Sequence, residues 1–133
     1  MSRIKKAPLP PTAIEPSQAG GDDIVFSFKY LHEHSFTDKR VKSDFLQGFL
    51  LRLKKLSELG WQRIRQEKRH GYGCEKIAIS QIKADVQSTP TPDTSYLLAF
   101  RSSGDNKAFL GVQTGSTFHI LFIEARHGDI YEH

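Results

Sequence analysis

The last eight residues of the chain are rich in side chains that can do chemistry. They follow an alternating apolar pattern, Phe118, Ile120 and Phe122, that is typical of a buried strand. The groups of interest are an arginine, two histidines and a tyrosine: Arg126, His127, Tyr131 and His133. Histidine exchanges protons near neutral pH, arginine binds a phosphate through two parallel hydrogen bonds, and tyrosine stacks on a base. These residue types predict a site that acts on RNA.

Metal-independent RNA cleavage needs only such groups. A base takes the proton of the ribose 2′-OH, that oxygen attacks the adjacent phosphorus, and an acid protonates the departing 5′ oxygen. Two further residues belong to this hypothesis: Arg101 ends a predicted strand, and His70 lies in a basic stretch. Each residue has a structural alternative. A lone surface histidine is usually inert, Tyr131 is equally an anchoring aromatic, and His119 is as readily a residue of the sheet.

A metal site is not predicted. The spacing of His127, Tyr131 and His133 matches no compact zinc signature, and Cys74 is the only thiol in the sequence. The proposed chemistry also needs no cofactor. One cysteine excludes an internal disulfide framework and favours a reducing compartment.

Positive charge is concentrated in one part of the chain. Net charge is +4 overall, but residues 38–76 contain eleven Lys or Arg and five Asp or Glu, a net of 11 − 5 = +6. A concentrated basic face attracts polyanions such as RNA, although an ordinary solvated helix face has the same pattern. The candidate RNA-binding residues are Arg63, Arg65, Lys68, Arg69 and Arg126.

The first half of the chain predicts a tail, a strand and a helical pair. Residues 1–22 hold four of the six prolines and are predicted to be a flexible tail, which leaves 23–133 as a single domain. Residues 23–31 are rich in aromatic and β-branched side chains, as in a strand. Apolar residues at steps of three and four predict a long helix from about Asp38 to a C-terminal Gly60, and residues 61–69 favour a short second helix.

The second half predicts consecutive strands with short connections. Residues 96–101, 108–113 and 117–125 have strand character, and Ile77 and Ile79 alternate in an earlier run. Short connections favour antiparallel neighbours. The predicted fold is therefore α+β: an antiparallel sheet of four to five strands packed on one long helix and a short second helix.

Location follows from what the sequence lacks. No apolar run approaches the roughly 18–20 residues of a membrane span, and the basic N-terminus has no apolar stretch after it. We expect no membrane association and a cytoplasmic protein.

Two stretches resemble the RelE/ParE superfamily of bacterial toxins, which belong to type II toxin–antitoxin systems. "LLAFRSSGDNKAFLGV" resembles the arginine-bearing strand and hairpin of that family, and "FHILFIEARHGDIYEH" resembles its last strand followed by a basic residue, a histidine and an aromatic. The order of a strand, a basic helical pair and a strand meander is also similar. The resemblance implies a RelE-like fold, an endoribonuclease that cuts mRNA in the ribosome, and inhibition by an antitoxin protein.

The resemblance also implies roles for individual residues. Arg101 would stabilise the phosphate, His127 would serve as acid or base, Tyr131 would orient or stack, and Arg126 would add positive charge. His70 and His133 complete the candidate catalytic set on chemical grounds alone. The alternative function is a non-catalytic basic module that binds nucleic acid or a protein. We expect the last strand to leave the sheet beside the basic helical region, so that the carboxyl-terminal cluster and that region face one phosphate-sized groove.

Overall fold

A computed structural model of the chain describes residues 22–32, 43–68, 71–83, 94–102 and 107–131. Residues 1–21 of the predicted tail, the predicted helix start near Asp38, and the candidates Arg69, His70 and His133 lie outside these ranges, whereas Asp22, the last residue assigned to the tail, is described. The elements are β1 (Val25–Ser27), α1 (Ser43–Gln66), β2 (Cys74–Ala78), a 3₁₀ turn (Ile79–Gln81), β3 (Tyr96–Arg101), β4 (Ala108–Thr114) and β5 (Thr117–Ile123). An α+β fold is confirmed.

The five strands form one mixed sheet in the order β1-β5-β4-β3-β2. Strands β2 to β5 are antiparallel neighbours, and for β3, β4 and β5 the short connections predict this pairing. The prediction of a fully antiparallel sheet is wrong for β1, which pairs in parallel with β5 from Val25 opposite Thr117. Parallel strands need a long connection, and α1 and three strands separate β1 from β5 along the chain.

Helix α1 consists of two helical segments, 43–59 and 61–66, separated by Gly60. Gly60 has φ 81° and ψ 167°, a conformation that is essentially restricted to glycine. Asp22 supplies the partners that the second segment needs at its start. Its carbonyl accepts the Trp61 N–H at 2.8 Å, and its Oδ1 accepts the Gln62 N–H at 2.5 Å. The long helix therefore ends at Gly60, as predicted.

The two faces of the sheet carry separate apolar clusters. On the first face α1 packs through Phe49, Leu56 and Trp61 onto aromatic rings of β3, β4 and β5. The second face has a cluster formed by Ile77, Ile82, Leu97, Leu110, Leu121, Phe122, Ile130 and Tyr131. The segment after β5 therefore lies on the face opposite α1.

Candidate functional sites on the two faces of the sheet

Glu124 organises the segment that follows β5, which we call the terminal segment (residues 124–131). Its side chain is fully buried, and one carboxylate oxygen accepts the Ala108 N–H at 3.0 Å. The other oxygen accepts N–H groups of Gly128 at 3.2 Å and Ile130 at 3.3 Å. A buried carboxylate with several N–H donors is well satisfied, because each bond to a charged group is stronger than a neutral one. The terminal segment is held in a defined turn.

Tyr131 anchors the end of that segment. Only 3% of the residue is exposed, and it forms a β-bridge with Ile82. The Lys83 N–H donates to the Ile130 carbonyl at 2.8 Å. Because the ring is buried in the second cluster, it is not accessible for stacking on a base in this conformation. Tyr131 therefore packs as an anchoring aromatic, which is the structural alternative to a base-stacking role.

Arg101 and the terminal segment lie at the same end of the sheet and on the same face. Arg101 is the last residue of β3, and alternation puts it on the side of Leu97 and Ala99, which belong to the second cluster. In the ladder it lies opposite Ala108, the residue that Glu124 binds. His127 is exposed on the turn.

Arg126 lies beside His127 on the turn. Its backbone N–H donates to Asp129 Oδ2 at 2.9 Å, and its side-chain Nε is 3.9 Å from Asp129 Oδ1. The guanidinium remains largely in solvent, with 73% of the side chain exposed. It contributes positive charge at the same end of the sheet as Arg101.

The basic stretch at the end of α1 and just after it lies on the α1 side of the sheet. Arg63, Arg65 and Lys68 follow Gly60, and Arg63 is an exposed residue whose Nε contacts Glu67 Oε2 at 3.2 Å. The predicted groove between this stretch and the terminal segment is not formed by the described residues, because the sheet separates them. The prediction that both would face one phosphate-sized cleft is wrong for these residues.

A cavity of about 290 Å³ lies beneath the second segment of α1. Its lining residues are Trp61, Arg65, Cys74, Lys76, Tyr96, Leu98 and Gln113. Lys76 Nζ is 4.7 Å from the centroid of the Tyr96 ring. The strand register explains why residues of β2 and β3 meet in this cavity. Lys76 lies opposite Leu98, and Ala78 lies opposite Tyr96. Alternate residues of the two strands therefore face α1.

Cys74 and Gln113 line the same cavity as the two cations. Burial raises the pKa of the Cys74 thiol to about 11, although Arg65 and Lys76 act in the opposite direction. The Gln113 amide is fixed, because its Nε2–H donates to the Gly115 carbonyl at 3.0 Å. The cavity therefore combines two cations with a tyrosine ring, a neutral thiol and an amide.

A second tyrosine engages cations farther along α1. The Arg52 guanidinium carbon is 4.4 Å from the Tyr72 ring centroid, and Lys55 Nζ is 5.9 Å from it. Arg52 Nη1 also donates to the Gly71 carbonyl at 3.0 Å. Cations stacked on tyrosine rings recur along the α1 side of the sheet, as on surfaces that bind single-stranded nucleic acid.

His119 has an environment of its own on the second face. Its Nε2 is hydrogen bonded to Thr114 Oγ1 at 2.8 Å, and its ring packs 5.5 Å from that of Tyr30. Among the residues described, its buried Nδ1 has no hydrogen-bond partner. Burial lowers the pKa of His119, and the charge of Lys29 adds to the effect.

Within the ranges that the structure covers, no three His, Cys, Asp or Glu side chains are grouped to hold a metal ion. Over the same ranges, no helix has the length and apolar character needed to cross a membrane. Comparison with known families, with characterised proteins and with solved structures found no significant match to this chain.

Proposed function

We propose that this protein is a toxin-type endoribonuclease that cleaves mRNA without a metal ion, with Arg101 and His127 as its central groups. The observation that supports the proposal is the shared position of Arg101 and the terminal segment, which lie on one face at one end of the sheet. Glu124 holds the turn that carries His127 and binds Ala108, the ladder partner of Arg101.

Each residue has a role that fits its surroundings. His127 is exposed and exchanges the proton of the ribose 2′-OH or of the departing 5′ oxygen. Arg101 stabilises the charge that develops on the phosphate oxygens. Arg126, with 73% of its side chain exposed, adds positive charge beside His127. Tyr131 acts by anchoring the segment, since its ring is buried.

The order of the elements also supports the proposal. A strand, two helical segments and a four-strand meander follow one another, which is the order that the RelE/ParE resemblance implies. Under this proposal the partners are mRNA, the ribosome and an antitoxin protein, and the protein acts in the cytoplasm.

A second candidate is a non-catalytic module that binds nucleic acid through the α1 side of the sheet. The observation that favours it is the pairing of cations with tyrosines there, Arg52 with Tyr72 and Lys76 with Tyr96. Such a module binds RNA with a steep salt dependence but does not turn it over.

The test is cleavage of an end-labelled mRNA by the purified protein, with and without ribosomes. We expect products that end in 2′,3′-cyclic phosphate. His127→Ala and Arg101→Ala are each expected to lower the rate by roughly 10²–10⁴. The matched control is Lys54→Ala, an exposed cation paired with Glu58 on α1, which should cleave at the wild-type rate.

Cleavage at the wild-type rate by both His127→Ala and Arg101→Ala would exclude this mechanism. RNA binding without cleavage or growth arrest would support the second candidate instead. Inducible expression in a bacterium, with and without the neighbouring open reading frame, separates the two in cells. Growth arrest that the neighbour relieves is expected for a toxin.

A further inference from the structure

The cavity beneath the second segment of α1 has the composition of an anion site with an aromatic wall. Arg65 and Lys76 come from different elements, α1 and β2, and both line the cavity. Tyr96 adds a half-exposed ring beside Lys76. Among the lining residues that the structure describes, Arg65 and Lys76 carry the charges and none is a carboxylate.

We propose that this cavity binds a single nucleotide unit, with Arg65 and Lys76 on its phosphate and Tyr96 against its base. This goes beyond the proposed cleavage reaction, because the cavity and the terminal segment lie on opposite faces of the sheet. The site is a separate binding site, and its occupancy does not depend on RNA being cut.

Size and charge favour a nucleotide. A volume of about 290 Å³ is at the lower limit of small-molecule sites, which span roughly 300–1,000 Å³, and suits a ligand of about the size of one nucleotide. Arginine binds phosphate through paired hydrogen bonds, and lysine adds a point charge. The neutral Cys74 thiol does not repel an anion.

The polar groups suit a base as well as a phosphate. Gln113 is a buried amide held at Nε2 by the Gly115 carbonyl, which orients its oxygen and nitrogen for contacts with a base edge. Tyr96 provides the aromatic surface on which bases stack without sequence preference. Trp61 is 2% exposed and forms the floor of the cavity.

The test uses the only tryptophan of the chain as a reporter. Trp61 lines the cavity, so its fluorescence is followed while 5′-UMP, uridine or inorganic phosphate is titrated into the full-length protein. We expect saturable binding of 5′-UMP at a Kd at least about tenfold lower than that of uridine or phosphate, because only 5′-UMP engages both halves of the site. Equal affinity for phosphate, equal affinity for uridine, or no saturable binding would each overturn the proposal.

Variants test the assignment of the residues. Arg65→Gln and Lys76→Gln should each weaken 5′-UMP binding by about tenfold or more, and Tyr96→Leu by about fivefold or more. The control Lys54→Gln removes one exposed charge from α1 outside the cavity and should change the affinity by less than about twofold. If Lys54→Gln weakened 5′-UMP binding as much as Arg65→Gln does, binding would depend only on net charge and not on the cavity.

A second measurement remains informative if a variant folds poorly. Cys74 is the only thiol, and it lines the cavity, so saturating 5′-UMP should slow its alkylation in the wild-type protein by about fivefold or more at about pH 9. Unchanged alkylation would place the nucleotide elsewhere. Wild-type mRNA cleavage is measured separately, so absence of cleavage together with 5′-UMP binding removes only the nuclease proposal.

Discussion

The carboxylate of Glu124 accepts a hydrogen bond from the backbone N–H of Ala108 at 3.0 Å, and the Glu124 N–H donates to the Ala108 carbonyl at 2.9 Å. These reciprocal bonds join the end of β5 to the start of β4. Because the other carboxylate oxygen binds Gly128 and Ile130, one buried side chain ties the turn that carries His127 to the start of β4.

Replacing Glu124 should loosen that turn and lower stability. Glu124→Ala leaves the N–H groups of Ala108, Gly128 and Ile130 without their acceptor, and we expect a loss of roughly 2–4 kcal/mol in the free energy of unfolding. Urea denaturation measures it. The control Glu58→Gln changes an exposed carboxylate and should stay within about 0.5 kcal/mol. Equal midpoints for the two variants would contradict the role assigned to Glu124.

Gly60 and Gly115 form a matched pair for testing the helix break. Both have positive φ, 81° and 62°, but a Cβ at Gly60 would lie 2.9 Å from the Asp22 carbonyl oxygen, whereas one at Gly115 meets nothing within 4 Å. Gly60→Ala should therefore destabilise by roughly 2–4 kcal/mol and Gly115→Ala by about 1 kcal/mol. Thermal or urea unfolding compares them. A smaller loss at Gly60 than at Gly115 would exclude the steric account.

His119 should make stability depend on pH below neutrality. Its pKa in the folded protein is lowered from the ordinary 6.5, so the unfolded chain takes up the proton first as the pH falls. The contribution of neutral His119 to the free energy of unfolding is therefore complete above about pH 6.5. It is lost as the pH falls from there through the lower pKa of the folded state. The free energy of unfolding of the wild type relative to His119→Gln should therefore fall as the pH is lowered below about 6.5. Parallel pH profiles for the two proteins would be inconsistent with this assignment.

Cys74 should react slowly with alkylating reagents in the folded protein. Its pKa is raised from 9.0 to about 11, so the thiolate fraction near pH 8 is roughly 100-fold smaller than in the unfolded chain. Iodoacetamide labelling with and without urea, followed by mass spectrometry, measures the ratio. The folded rate should keep rising with pH up to about 11. A plateau near pH 9 would show an unperturbed thiol.

Features encoded by local sequence could be predicted. Gly60 ends the long helix because glycine alone tolerates its backbone conformation, and Trp61 follows with helix-forming residues. The hairpin between β4 and β5 turns over two residues, Gly115 and Ser116, which the short connection indicates. These signals lie within a few residues of the structure that they specify.

Features that depend on register or on distant pairing could not be predicted. Lys76 and Tyr96 meet only because of how β2 aligns with β3, and alternation alone does not fix that alignment. The burial of Tyr131 depends on Ile82, which is far away in sequence. Glu124 resembles a surface residue in sequence, and the backbone N–H donors that accompany its burial, those of Ala108 and Ile130, are apparent only in the folded structure.

The parallel pairing of β1 with β5 has a consequence for the order of folding. Val25 pairs with Thr117, 117 − 25 = 92 positions later, whereas β3, β4 and β5 are joined by short connections. Closing the longer loop loses more chain entropy, so the three hairpin-connected strands should assemble early and β1 should join last. As a three-residue strand at the rim, it should also detach first, exchanging its amide protons sooner than the interior of the molecule does.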